Sequence, residues 1–110
     1  MAGKFEIKKN NKGQFMFNLR AANNQIILTS EMYSSKSGAQ GGIESVKNNS
    51  RSDASYERKS GKGKSYFVLK ATNGQVIGTS EMYSSASSME AGIASVKTNA
   101  PKAAVDDLTV

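Results

Sequence analysis

One six-residue segment occurs twice, letter for letter: Ser30-Glu-Met-Tyr-Ser-Ser35 and, fifty residues later, Ser80-Glu-Met-Tyr-Ser-Ser85. It brings two carboxylates and two phenols, Glu31 and Tyr33 in the first copy and Glu81 and Tyr83 in the second. A carboxylate two residues from a phenol can share a proton or grip a polar ligand, so these four residues make one candidate polar site per copy. The same spacing also has a structural reading. Ser35 and Ser85 are placed to cap helices, a carboxylate favours a nearby helix N-terminus, and Met32 and Tyr33 can pack as a staple against the first turn. Capping accounts for the residue types without a ligand, and we adopt it at this level.

The second chemical signal is a set of cations. Lys8, Lys9 and Lys12 cluster in one segment, Arg58, Lys59, Lys62 and Lys64 in its counterpart, and Arg20 and Lys70 flank an alternating stretch whose aromatic is Tyr66. Basic residues with an aromatic on one sheet could track a nucleic-acid backbone. Neither an aromatic run nor an Arg-rich helix accompanies them, and Lys is also a common guard against edge pairing. Gly61-Lys-Gly-Lys-Ser65 ends like a phosphate-binding loop, but Arg58 stands where its first glycine belongs. Such a loop must also lead into a helix whose amides point at phosphate, whereas a strand pattern follows here. It reads as a solvated hairpin turn.

Composition removes other chemistry. The 110 residues carry a formal net charge of +6 and contain no Cys, His or Trp. Without Cys there is no disulfide framework and no thiolate metal site. Without His the commonest zinc ligand and general base are missing, and a Ser-His-Asp triad cannot be built within the chain. The start, Met1-Ala-Gly-Lys-Phe-Glu-Ile, has no apolar core of a secretory signal, and no apolar run approaches the ~18 residues of a membrane span. The expectation is a cytoplasmic protein with no cofactor and no membrane contact.

The repeat extends well beyond the hexapeptide. Residues 17–49 match 67–99 at 20 of 33 positions without a gap. Upstream, Phe5-Glu-Ile-Lys aligns with Tyr56-Glu-Arg-Lys at an offset of 51, so the first copy has one extra residue before Gly13. Two copies are too few for a solenoid, and a ~50-residue copy is too small to bury a sufficient core alone. The repeat therefore implies one domain over 1–110, with repeat 1 at 4–52 and repeat 2 at 53–110, related by a pseudo-twofold axis like a fused dimer.

The periods give the elements. Phe15, Phe17, Leu19 and Ala21 alternate with Met16, Asn18 and Arg20, and Phe67, Leu69 and Ala71 repeat the pattern, as a one-sided strand requires. Asn23-Asn24 and Asn73-Gly74 suggest two-residue type I′ hairpins, with Gln25–Ser30 and Gln75–Ser80 returning. That register puts Ile26 on the core face, Val76 likewise, and Ile27 and Ile77 on the other face beside Arg20 and Lys70. Lys4–Lys9 and Ser55–Lys59 precede as shorter strands. Ala39, Ile43 and Val46, like Met89, Ile93 and Val96, form one helical stripe. The helices open at Ser35 and Ser85 or, by capping-box spacing, at Ser37 and Ser87. Pro101 stops the second, and Ala103–Val110 reads as a last strand. The fold class is α+β: two tandem βββα(β) repeats making one antiparallel-type sheet with the helices on one side.

Leu69-Lys-Ala-Thr-Asn-Gly-Gln-Val-Ile77, Ser80-Glu-Met-Tyr-Ser-Ser85 and Gly92-Ile-Ala-Ser-Val-Lys97, with their first-copy equivalents, resemble the YegP-like family of small bacterial proteins of unknown function. The resemblance covers nearly the whole chain. It implies a single sheet from two βββα-β units with exchanged terminal strands, and it implies no activity. The sequence reads as a non-enzymatic interaction or accessory module, a monomer built as a fused pseudo-dimer and open to a protein partner. A weak, sequence-tolerant nucleic-acid binder is the alternative, and an enzyme using the paired Glu and Tyr is the third.

Overall fold

A computed structural model describes residues 3–109; Met1 and Ala2 of the polar start, and Val110 of the expected last strand, lie outside the described residues. The elements are β1 (Lys4–Lys9), β2 (Phe15–Arg20), β3 (Ile26–Ser30), α1 (Lys36–Asn49), β4 (Tyr56–Gly61), β5 (Lys64–Lys70), β6 (Val76–Thr79), α2 (Ala86–Asn99) and β7 (Ala104–Asp107). The strands form one sheet in the order β4-β5-β6-β3-β2-β1-β7. β3 and β6 meet antiparallel at its centre, with Thr29 opposite Thr79, so the two copies run in opposite directions about a pseudo-twofold axis. β7 pairs in parallel with β1, from Lys4 opposite Ala104 to Ile7 opposite Asp107. The strand that ends the second repeat thus closes the first, which is the exchange the resemblance implies.

Both helices lie on one face. Phe5, Ile7, Phe17, Leu19 and Leu28 from one copy, and Tyr56, Phe67 and Leu69 from the other, are buried against the expected helical stripes. Phe5 stands opposite Leu19 and Tyr56 opposite Leu69, as the 51-residue offset requires. The aromatic contacts repeat too: Phe5 meets Phe17 edge-on at 5.7 Å and Tyr56 meets Phe67 at 5.6 Å.

The turns correct the register. Only one residue of each Asn-containing turn is left-handed, Asn24 (φ 73°) and Gly74 (φ 86°). Ala21 N–H donates to the Gln25 carbonyl and Asn24 N–H to the Ala21 carbonyl, so the connection has three residues. A type I turn followed by one left-handed residue carries its bulge at that residue, here Asn24 with Gln25 against Ala21. A separate bulge falls between Leu19, opposite Leu28, and Arg20, opposite Ile26. Ile27 is the extra residue and turns into the core with Ile77, while Ile26 and Val76 are half-buried beside Arg20 and Lys70. This is the reverse of the expectation for all four. The two-residue turn with both residues left-handed occurs elsewhere, at Lys62-Gly63 (φ 52° and 75°).

The caps fall at the first of the two expected starts. Ser35 Oγ accepts from Gly38 N–H and Ser85 Oγ from Ser88 N–H, both at 3.1 Å. Replacing either serine with Ala is expected to cost ~0.5–2 kcal/mol in urea denaturation, and Asp should be nearly neutral because it keeps the short acceptor. Met32 and Met82 take no part in a staple: they are 54% and 60% exposed. The tyrosine alone packs on the first turns.

The halves differ at the sheet edges. β7 covers β1, and Ile7 beneath it is buried. Among the described residues no strand covers β4, and the residue matching Ile7 is Arg58. Its guanidinium donates to Glu90 (2.5 Å) and Asp53 (2.9 Å), and Lys97 also reaches Asp53 (2.9 Å). Arg58 and Lys97 hold the Asp53 carboxyl down at about 2, and Lys36 with Thr109 does the same for Asp107. Both pKa values lie below that of an unfolded Asp. The stabilisation is therefore present above about pH 4 and is lost as pH falls toward about 2. Urea midpoints of the wild type should drop over that window, and those of an Asp53→Asn/Asp107→Asn variant should drop less. An equal drop would contradict the assignment.

Candidate functional site

The hexapeptide is a connector held at three points. Buried Ser30 accepts from Phe17 N–H (2.8 Å) and donates to the Glu31 carbonyl (2.8 Å), ending β3 and turning the chain. Ser80 does the same with Phe67 (3.0 Å) and Glu81 (2.8 Å). Tyr33 then exchanges backbone hydrogen bonds with Phe15 (2.7 and 2.8 Å), as Tyr83 does with Ser65 (2.8 Å each). Two residues on, the serine cap starts the helix. The sequence thus fixes both tyrosines from their backbones, and the rings lie across the helices. A Cβ at Gly42 would sit 2.4 Å from the Tyr33 hydroxyl, and one at Gly92 2.4 Å from that of Tyr83. Those glycines admit the rings; Gly41, beside one of them, faces open space.

Each tyrosine forms the floor of a cleft, and each cleft draws on both repeats. The first, of about 580 Å³, has Glu31, Tyr33 and the α1 residues Gly38, Gly42 and Ser45 on one side, and Asn73 and Gln75 from the turn and Ile77 from β6 of the second repeat on the other. The second inverts the arrangement. Glu81, Tyr83, Ser88, Gly92 and Ser95 face Asn23, Gln25 and Ile27, in two adjoining hollows of about 400 and 270 Å³. Arg20 lines the second cleft and is tied to Glu6 (2.6 Å) and to the Asn24 carbonyl (2.8 Å). Neither tyrosine hydroxyl is hydrogen-bonded to another described residue, so both are free to meet a ligand. Burial, then the neighbouring Glu31 or Glu81, pushes both phenols above their ordinary pKa. At neutral pH they are protonated donors.

The four polar candidates are therefore brought together in pairs, Glu31 with Tyr33 and Glu81 with Tyr83. The turn residues opposite them were not among the sequence candidates. Asn23 and Asn73 are required by the turns themselves, since each Oδ1 accepts from the N–H two residues on (Gln25 at 3.1 Å, Gln75 at 3.0 Å), so the one signal the turns do not explain was the identity of the exposed Gln25 and Gln75.

The cations are not brought together. β3 and β6 run antiparallel, so the β1–β2 and β4–β5 hairpins turn at opposite ends of the sheet. Lys8, Lys9 and Lys12 lie toward one end, and Lys59, Lys62 and Lys64 toward the other. Several are engaged within the chain. Lys8 reaches Glu6 (3.8 Å) and donates to Asn18 Oδ1 (2.9 Å), Lys70 pairs with Glu57, Lys59 is 4.0 Å from Glu57, and Lys9 lies 5.4 Å over the Phe15 ring. Arg58 is held as described above. Among the described residues Lys12, Lys62 and Lys64 have no ion-pair partner. Gly61–Ser65 is the β4–β5 hairpin and leads into a strand. Tyr66 stands opposite Lys59. No described helix is long and apolar enough to cross a membrane, and no described group of acidic residues could hold a metal ion.

The model of a domain of unknown function, DUF1508, matches the chain twice, at residues 10–57 and 60–107. The UPF0339 protein PA0329 of Pseudomonas aeruginosa is 59% identical over 59 residues, which are 54% of each chain. The aligned part thus spans about half the length of the curated relatives matched. Two solution structures match almost throughout. The YegP protein of Escherichia coli, described as of unknown function, is 51% identical with a TM-score of 0.93, over 98% of this chain and 94% of its own. The UPF0339 protein SO3888 of Shewanella oneidensis is 49% identical with a TM-score of 0.92, over 98% and 92%. With its two matched repeats, its sheet order and its exchanged last strand, the chain belongs to the DUF1508 family, in the YegP-like form with two tandem copies.

Proposed function

We propose that the chain is a non-catalytic binding module that offers two equivalent clefts, one on each side of the pseudo-twofold axis, to a protein partner. One observation carries this reading: the same cleft is assembled twice, from the helix and hexapeptide of one repeat and the turn of the other. The chemistry in each is suited to recognition. A protonated phenol donates a hydrogen bond and is a poor proton acceptor, and the carboxylate beside it accepts one.

The test replaces both carboxylates. Glu31→Gln/Glu81→Gln keeps size and hydrogen bonding while removing charge. It should leave the fold intact and shift stability by less than ~1 kcal/mol, as for exposed carboxylates. Affinity capture with this variant should lose a protein that the wild type retains. Retention of every bound protein would count against the clefts, and a turnover lost with the same change would favour an enzyme. Capture abolished by nuclease would favour the basic tips instead. Each tip offers at most three lysines, so that mode should show a shallow slope of about −0.9 per phosphate contact in log affinity against log salt.

A further inference from the structure

We infer that the uncovered edge of β4 pairs antiparallel with β4 of a second copy of the chain. The two open edges of the sheet are unlike. β7 is short, ends in Asp106 and Asp107, and presents its own charges. β4 is six residues long, without proline or bulge, and pairs in unbroken register with β5. Gly61 and Lys64 close its two-residue turn, so Glu57, Lys59 and Gly61 direct their backbone groups to β5, and Arg58 and Ser60 direct theirs outward. The matching strand agrees: the Ile7 carbonyl, equivalent to that of Arg58, faces outward and accepts from Leu108 N–H at 2.9 Å. At β4 the Tyr56 carbonyl and both backbone groups of Arg58 and Ser60 have no such neighbour among the described residues; Tyr56 N–H is already bonded to the Asp53 carbonyl.

Charge selects the occupant. A strand like β7 is held on β1 by Lys4 with Asp106 (3.8 Å) and Lys36 with Asp107 (2.8 Å). At the matching places beside β4 stand Ser55 and Ala86, so an acidic strand finds neither lysine. β4 is complementary to itself. Pairing centred on Arg58 sets Glu57 opposite Lys59 of the second copy, twice, at the positions where cross-strand side chains come closest. The Arg58 side chains point to the helix face, each already neutralised by Glu90 and Asp53, so no unpaired charge is enclosed. The helices also fit. Within the chain α1 lies over β2 and α2 over β5, three strand steps apart. Two copies joined at β4 would place their α2 helices three steps apart as well, about 14 Å. Four backbone hydrogen bonds and two ion pairs make a small interface, so the pairing is transient.

Sedimentation velocity of the full chain, from low micromolar to millimolar, tests this. The wild type should rise toward twice the monomer mass at the high end. Ser60→Pro removes an outward donor that β5 does not use, and it should remain monomeric. Lys59→Glu and Glu57→Lys should each weaken self-association about tenfold, by setting like charges opposite each other. An equimolar mixture of those two variants should recover it. The mixture decides the matter even if the proline variant misfolds. A wild type that stays monomeric throughout, association unchanged by folded Ser60→Pro, or a mixture no stronger than its components would overturn the proposal.

Discussion

A chain cut after Ser52 is expected to be unfolded at micromolar concentration, or to fold only as a dimer. It would keep β1, β2, β3 and α1, and at first sight these form a complete sheet with a covering helix. The packing across the axis argues otherwise. α1 touches β5 and β6 of the second repeat as well as β2 of its own, and α2 touches β3. Removing the second half uncovers the β3 edge, strips β7 from β1 and leaves part of α1 without a sheet beneath it. Leu28 and Ile27, both buried at the axis, would face water. About 50 residues seldom supply the apolar burial to offset chain entropy once such contacts are gone. Circular dichroism together with sedimentation would settle it, and a folded, monomeric half would refute the fused-dimer organisation.

Exchanging the residues at positions 28 and 78 is expected to expose how the axis is filled. The copies carry Leu28 and Gly78 at matching positions. A Cβ at Gly78 would lie 2.9 Å from Leu28 Cγ and 3.1 Å from the Thr29 carbonyl oxygen. One leucine fills the space near the axis; two do not fit. Leu28→Gly should cost about 3–5 kcal/mol, from the cavity and from added chain freedom. Gly78→Leu should cost about 1–3 kcal/mol or more by overpacking. The combined exchange moves the leucine across the axis and should recover about 2 kcal/mol relative to the sum of the singles. Urea denaturation of the four proteins gives the coupling. Additive losses would mean that the two positions do not share one space.

Most local features were legible in the sequence because local rules govern them. Alternation at Phe15–Ala21 and the stripe Ala39, Ile43, Val46 depend on period alone, and Ser35 and Ser85 announce the caps by spacing. The faces of Ile26 and Ile27 were not legible. Asn24 and Gly74 satisfy either a two-residue or a three-residue turn; the latter sets Ile26 opposite Arg20, and a further bulge at Ile27, which no residue type announces, turns Ile27 into the core. Half of each site was legible for a similar reason. Glu31 and Tyr33 stand together in a repeated word, whereas Asn73 and Gln75, about forty residues on, join them only once β3 meets β6. The division between Ile7 and Arg58 also needed the sheet order: an apolar residue suits the edge that β7 covers, and an ion-paired one suits the edge it leaves in water.

Gene duplication ordinarily frees one copy to drift while the other keeps its task, but the interleaving of these clefts denies the chain that freedom. A change in the turn of the first repeat alters the wall of the cleft whose floor is Tyr83, and a change in its helix alters the cleft whose floor is Tyr33. Reshaping both walls of one cleft therefore requires changes in both halves of the gene. Changes confined to one half touch both surfaces at once, each on a different wall.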